Sequence, residues 1–416
     1  MSTAAGPEIR DARNESGAAE ATGPDGSRTL RWTILALAFA CGASVANLYY
    51  AQPLLGPIGR SFGVDSGTAT LIVTMTQIGY ALGLSLLTPL GDLLENRRLV
   101  TRTLILTAAA SAAAAVAPGI GVFLVVSVLI GVTSVVAQIL VPWSSHLAPA
   151  HVRGKVVGQV TGGLLLGIML ARSASSLVAA AWGWRSVYIA SSVIMLIVAI
   201  VLRLRLPQRR PAHSASYFAL VASAYRFGLR EPVLRHRAAS QALMFAAFTA
   251  FWTAVPYELV QRHHFSQVGI AVFALVGAAG AAAAPIAGRL GDGGHGPRAR
   301  NAAFVLGVIA LAVAALGSSQ VVLLALGGVL LDFAVQSHHV LSVRDIYGLS
   351  THARARMNAF YMTCVFVGGA GASAVTGSLL TSEGWTGVMT FAAVLVAIGA
   401  TVSIRDLVTA RRSAAG

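Results

Sequence analysis

The sequence predicts an all-α integral membrane protein with twelve transmembrane helices in two six-helix bundles. Three observations predict it. The chain is 56% hydrophobic and only 11% charged, against roughly 25% charged in soluble domains; apolar runs of bilayer length recur along it; and its second half repeats its first. A mean hydropathy of +0.73 excludes a water-soluble globule. The two cysteines, Cys41 and Cys364, lie far apart in apolar runs, which excludes a disulfide scaffold, a cysteine zinc cluster and a CxxC redox pair.

A helix needs about 20 apolar residues to cross a hydrocarbon core of about 30 Å. Such runs cover 31–55, 67–90, 99–117, 119–142, 156–179, 185–204, 237–260, 267–288, 300–317, 319–342, 357–380 and 386–405. Residues 1–30 are polar and lack the basic start and apolar centre of a signal peptide. The expected organisation is a disordered cytoplasmic tail at 1–30, a bundle at 31–204, a basic cytoplasmic linker at 205–236, a second bundle at 237–405 and a cytoplasmic tail at 406–416.

The formal charge of +15 is arranged by side. With the N-terminus inside, the cytoplasmic connections hold Arg97, Arg98, Arg153, Lys155, Arg209, Arg210, Arg289, Arg298, Arg354 and Arg356 among others, whereas the outer ones hold Arg60, Arg185 and Arg262. Positive residues retained inside orient helical membrane proteins, so both termini are expected in the cytoplasm of a multi-pass protein of the cell membrane. Nucleic-acid binding needs a basic face on a water-soluble element, and the linker is too short for such a domain.

The repeat fixes the organisation further. Arg153 to Trp184 aligns with Arg354 to Trp385 without a gap at an offset of 201, with Gly167 over Gly368, and Leu90-Gly91-Asp92 matches Leu290-Gly291-Asp292 at an offset of 200. Six helices are therefore duplicated in parallel. Transporters that rock two bundles around a site near the bilayer midplane are built this way.

The residues that carry a family resemblance are NLYYAQPLL (Asn47 to Leu55), TQIGYALG (Thr76 to Gly83) and PLGDLLENRRL (Pro89 to Leu99). Together they resemble the major facilitator superfamily, and within it bacterial permeases described as sugar, nucleoside or drug efflux proteins. The resemblance spans residues from about 40 to 390 and implies proton-coupled export of a small organic solute by alternating access. It also implies that Asp92, Arg97, Arg98 and Asp292 form a conformational latch between the bundles. A proton-coupled importer or an uncoupled facilitator uses the same architecture. Drug antiporters of this superfamily usually have an Arg four residues before a Gly in helix 4 and a Gly-Pro in helix 5; here the positions hold Ser127 before Gly131, and Gly167-Ile168.

Asp332 lies deep in a predicted helix, and an ionisable group at membrane depth is by default a functional-site hypothesis. Some 13 residues from the expected helix start, it falls about 20 Å along the span, past the midplane toward the cytoplasm. Asp332, Gln336 and His339 share one helical face, so Asp332 and His339 are the candidate proton-coupling groups and Gln336 a cavity residue. Arg172 is the basic residue inside helix 5, expected in its outer half and off the level of Asp332. Snorkelling and contact with the solute are both open for it. Asn47, Tyr50, Gln77, Gln138 and Trp252, the last on a face with Phe245 and Phe248, complete the expected cavity.

No cofactor or metal is expected, no GxxxxGK[ST] nucleotide loop occurs, and no constellation suggests an enzyme. The expected partners are a small-molecule substrate, protons and the lipid bilayer, with the chain a monomer. In a background with Cys41 and Cys364 replaced by serine, Ser61→Cys is expected to react with an impermeant thiol reagent on intact cells. Ser214→Cys is expected to react only after permeabilisation, and the reverse pattern would invert the topology.

Overall fold

The structure, a computed structural model, describes residues 24–148, 150–208, 216–350 and 353–415. Arg209, Arg210 and the first 23 residues of the expected tail lie outside them. Among the described residues the chain forms twelve long helical segments. They are α1 (Pro24–Ala46), α2 (Ser66–Asp92), α3 (Asn96–Ala115), α4 (Ile120–Ser144), α5 (Arg153–Trp182), α6 (Trp184–Arg205), α7 (Pro232–Gln261), α8 (Gln267–Asp292), α9 (Gly296–Leu316), α10 (Val321–Leu349), α11 (Arg354–Ser382) and α12 (Gly384–Ala415). Ten are long and apolar enough by themselves to cross a membrane, and α1 adds the shorter apolar stretch Leu30–Ala46. The third, α3, opens with Asn96, Arg97 and Arg98 and holds Arg102 as well, which lowers its apolar character.

Several elements differ from the sequence expectation. The first span ends at Ala46, not 55, because Asn47 turns its amide back onto Ala43 O (3.0 Å) and Ser44 O (3.2 Å). Pro53 then starts a 3-10 turn, Gln52–Leu54, followed by a short helix, Leu55–Phe62. The eighth span is not a continuous α-helix: its glycine- and alanine-rich centre, Leu275–Ala282, winds as a 3-10 helix, the tighter form that often marks a hinge or functional site. Within the expected linker, Tyr217–Arg230 forms a helix and α7 already starts at Pro232; the helix reaches both bundles through aromatic residues. Likewise α1 starts inside the expected N-terminal tail and α12 runs to Ala415 in the expected C-terminal one.

Helices in lipid gain little from hiding apolar surface from one another, so small residues that admit a neighbouring backbone set their packing. On α5, a Cβ at Gly163 would stand 2.7 Å from Ala38 Cα of α1, and Gly167 abuts Gly42 of α1. The second half repeats this contact, with Gly368 of α11 against Ala242 of α7, where a Cβ would meet the carbonyl oxygen at 2.6 Å. Helices α2 and α4 cross at Gly79, Gly83 and Gly131. Buried charge braces the inner end of the second bundle: Arg237 of α7 pairs with Asp345 of α10 at 3.0 Å, and Arg300 of α9 pairs with the same carboxylate.

The two bundles meet along α2 and α11 and along α5 and α8. At the end away from the linker, outer in the orientation expected from the charges, Ser373 donates to Thr70 O (3.1 Å), Ser176 to Gln267 O (2.8 Å) and Gln267 to Pro53 O (3.1 Å). At the inner end the linker helix closes the seam: Tyr217 donates to Leu86 O (2.9 Å), Tyr225 bonds Ser85 of α2, and the Tyr225 ring lies 6.0 Å from Phe360 of α11. Because overpacking a tight contact costs about 1–3 kcal/mol, Gly163→Val is expected to lower the thermal midpoint in detergent. Gly162→Val, whose Cβ meets open space, is expected to leave it within a degree or so.

Candidate functional site

Arg172 is the centre of the seam. Its α5 carries it into the protein with an exposure of 3%. Its Nε donates to Gln52 Oε1 at 2.6 Å, and its guanidinium carbon lies 4.4 Å from the Trp252 ring, 4.9 Å from Tyr49 and 5.3 Å from Phe248. A guanidinium over an aromatic face is attracted by the ring quadrupole, by 2 kcal/mol or more when desolvated, as an order of magnitude. The Trp252 Nε1–H, on the far edge of that indole, donates to Asp332 Oδ1 at 2.8 Å. Arg172 comes from the first bundle and Trp252 and Asp332 from the second, so one ring links a cation and a carboxylate across the seam.

The sequence expectation placed Arg172 and Asp332 at different depths, and the structure corrects it. Helix α10 runs seven residues past its expected end, to Leu349. Asp332 is therefore 17 residues, about 26 Å, from the inner end of α10, and Arg172 is 19 residues, about 28 Å, from that of α5. They are level, and Asp332 stands outward of the helix centre. The 3-10 stretch of α8 fits against it: a Cβ at Gly277 would fall 2.8 Å from Asp332 Oδ2, and Gly280 faces its Cβ. That α8 contact, Tyr49 and Gln52 had no signal in periodicity. Gln52 follows a turn that the sequence reading counted as helix.

Inward from Trp252 the seam is aromatic. Phe248 stacks on Phe245 (5.4 Å, 18°), Phe245 meets Phe366 of α11 at 5.1 Å, and Phe366 meets Tyr80 of α2 at 4.5 Å. The wall ends in a polar bridge: Gln138 donates to Tyr80 (3.2 Å) and accepts from Asn358 of α11 (3.3 Å). Gln77 donates to Thr249 of the other bundle at 3.5 Å. Gln77, Gln138 and Trp252 thus all reach the bundle interface.

Other expected residues lie elsewhere. Asn47 turns into the first bundle, accepting from Ser191 at 2.5 Å and approaching Met195, because the break in α1 rotates it toward α6. Tyr50 is half-buried, and its neighbour Tyr49 supplies the ring beside Arg172. His339 bonds the Tyr361 hydroxyl at 3.0 Å, two turns or about 10 Å inward of Asp332, with half-buried Gln336 between them. His338 points into the second bundle toward Gln241 at 2.5 Å. At the inner end, Arg98 and Arg97 approach Glu95, at 2.7 and 3.7 Å, while Asp92 is exposed at the end of a 3-10 turn. Glu95, the residue before α3, holds the acidic place expected of Asp92. Asp292 pairs with Arg344 of α10 at 3.0 Å, within one bundle.

A buried acceptor stripped of its donor costs about 1–3 kcal/mol. Trp252→Phe, which keeps a ring over Arg172 but removes the N–H, is expected to destabilise the protein by that amount. In the background of Asp332→Leu the same change is expected to cost clearly less, as read by a double-mutant cycle of thermal unfolding.

The comparisons with known proteins agree with this architecture. The profile of the Major Facilitator Superfamily matches residues 34–292 and again 237–414. The chain is 37% identical over 356 residues to the uncharacterized transporter YgaY of Escherichia coli O157:H7, covering 85% of this chain and 90% of that one. Among solved structures, the nucleoside transporter NupG superposes with a TM-score of 0.75 at 12% identity, over 90% of this chain and 99% of that one. A bacterial homologue of the human lysosomal transporter Spinster, in an inward-facing, occupied conformation, gives 0.72 at 14% identity, over 90% and 96%. At such identities the structural likeness speaks for the fold. With the family profile matching both halves of a duplicated twelve-helix fold, the chain belongs to the major facilitator superfamily of membrane transporters.

Proposed function

We propose that this transporter is a proton-coupled secondary carrier that moves a small organic solute across the cytoplasmic membrane by alternating access. Export is the direction that the resemblance of its motifs implies. The observation that carries the reading is Asp332, an acid only 8% exposed, held level with Arg172 of the opposite bundle by the intervening Trp252. A carboxylate there favours keeping the bundles together around Arg172, and a protonated acid weakens that attraction. Proton loading thereby changes the relative energy of two bundle arrangements, which is what coupling requires. One chain supplies both walls of the seam, so a monomer is sufficient for the cycle. Gln77, Gln138 and Trp252 border the solute path. His339, inward of Asp332 on the same helix, is the next group on the proton route, and Asp92, Arg97, Arg98, Asp292 and Glu95 secure the cytoplasmic ends.

The test is luminal pH in proteoliposomes of purified protein challenged with sugars, nucleosides, organic acids and cationic drugs, under pH gradients of either sign. Wild type is expected to move protons with one solute class, and Asp332→Asn to bind that class while losing proton movement by tenfold or more. Coupled flux unaltered in Asp332→Asn removes Asp332 from the coupling role. Labelled solute crossing wild-type vesicles without proton movement makes the protein a facilitator.

A further inference from the structure

The proposed carrier reading leaves the solute unnamed, and unmet hydrogen-bonding groups beside Arg172 bear on it. Arg172 Nη2 is buried and meets no hydrogen-bond acceptor, and the same holds for Gln52 Nε2 on the side chain whose oxygen accepts from Arg172 Nε. Gln52 is 1% exposed and Arg172 3%. Buried donors left unpaired are costly and rare in native structures. Both orphans are N–H donors on touching side chains, so the complement is an acceptor, and one of the two donors is cationic. A solute cation at this place would leave both donors unmet and stand against a guanidinium. A planar carboxylate suits a guanidinium edge, which offers its donors in a fixed fork.

The surroundings describe the rest of the solute. Tyr49, Phe248 and Trp252 ring the guanidinium, and Phe245 and Phe366 extend the wall inward. Outward, Pro53, the neighbour of Gln52, lines a pocket of about 270 Å³ together with Pro256, Tyr257 and Gln267; it is a separate space, bordered by neither Arg172 nor the rings around it, on the way to the site. The nearby orphan acceptor, Gln77 Oε1, packs against Gly369 and fits a hydroxyl or amide on the solute. With Asp332 close by, a phosphate dianion brings a second negative charge that a carboxylate does not.

We infer that the solute is a small aromatic carboxylic acid, bound as a monoanion with its carboxylate on Arg172 and the Gln52 amide and its ring against Phe248 and Trp252. The inference rests on the carrier reading for its transport meaning, and its test is a binding measurement that does not need flux.

Purified protein in lipid nanodiscs is titrated calorimetrically with benzoate, phenylacetate and indole-3-acetate, with benzamide and benzylamine as neutral and cationic controls and phenyl phosphate as the dianion. At least one of the three acids is expected to bind at least tenfold more tightly than either control and than phenyl phosphate. Arg172→Gln is expected to lose that binding by tenfold or more. Gln52→Glu keeps the side-chain shape and the bond to Arg172 Nε while neutralising the site, and it is expected to lose the acid to a similar degree with thermal stability retained. The inference is overturned if none of the three acids binds, if benzamide, benzylamine or phenyl phosphate binds as tightly, or if a folded Gln52→Glu protein keeps wild-type affinity. Acid binding without any flux in vesicles would sink the carrier reading and leave the anion site standing; flux of an uncharged or cationic solute without acid binding would do the opposite.

Discussion

A helix surrounded by lipid has no water to drive it against its neighbour, so the structure depends on how closely backbones can approach. Glycine makes the approach possible. Gly163 and Gly167 let α5 lie on α1, Gly368 does the same for α11 on α7, and Gly79, Gly83 and Gly131 join α2 to α4. Contacts this tight have few alternative arrangements. Contacts of this kind fix how the helices lie within each bundle.

The seam is built differently from the bundle interiors. It keeps one small-residue contact, Gly377 of α11 against Gly67 of α2, but aromatic rings line it from Trp252 through Phe248 and Phe245 to Phe366 and Tyr80. Polar groups that elsewhere bond back to their own helices here reach the opposite bundle, as Gln77 does to Thr249 and Gln138 to Asn358. Single hydrogen bonds of this sort contribute on the order of 1 kcal/mol each. At the level of the rings the seam is thus held by separate links of this size rather than by interlocked backbones.

Most of the fold was legible because bilayer thickness writes itself into span length and duplication into a constant offset. The matched pair Gly167 and Gly368 shows this well: it was visible as an alignment and proved to be a matched packing contact in both halves. At the candidate site a charge within an apolar run announces itself, as Arg172 and Asp332 did, and helical spacing brought forward Gln77, Gln138 and Trp252, which also reach the seam. The mutual position of Arg172 and Asp332 was not legible, because helices α5 and α10 extend beyond the apolar stretch by different amounts. Asn47 misled for the opposite reason. Its spacing fitted a cavity face, but that face exists only if the helix continues, and Asn47 itself helps end the helix by capturing Ala43 O and Ser44 O. Glu95 was missed because the motif drew the eye to Asp92, while the acid nearest the start of α3 is the one its arginines can reach.

The helix Tyr217–Arg230 touches α2 through Tyr217 and Tyr225 and α11 through Phe360. A connection that only joined two halves would need length and nothing else. This one is a strap across the linker end of the seam, fastened to α2 by two tyrosine hydroxyls and to α11 by an edge-on ring contact. Parting the bundles at the linker end must release at least one of these fastenings, and parting them at the other end must release the bonds of Ser373, Ser176 and Gln267. The two ends of the seam are therefore closed by different means, a helix of the linker at one and direct contacts between the bundles at the other, although the bundles themselves are duplicates.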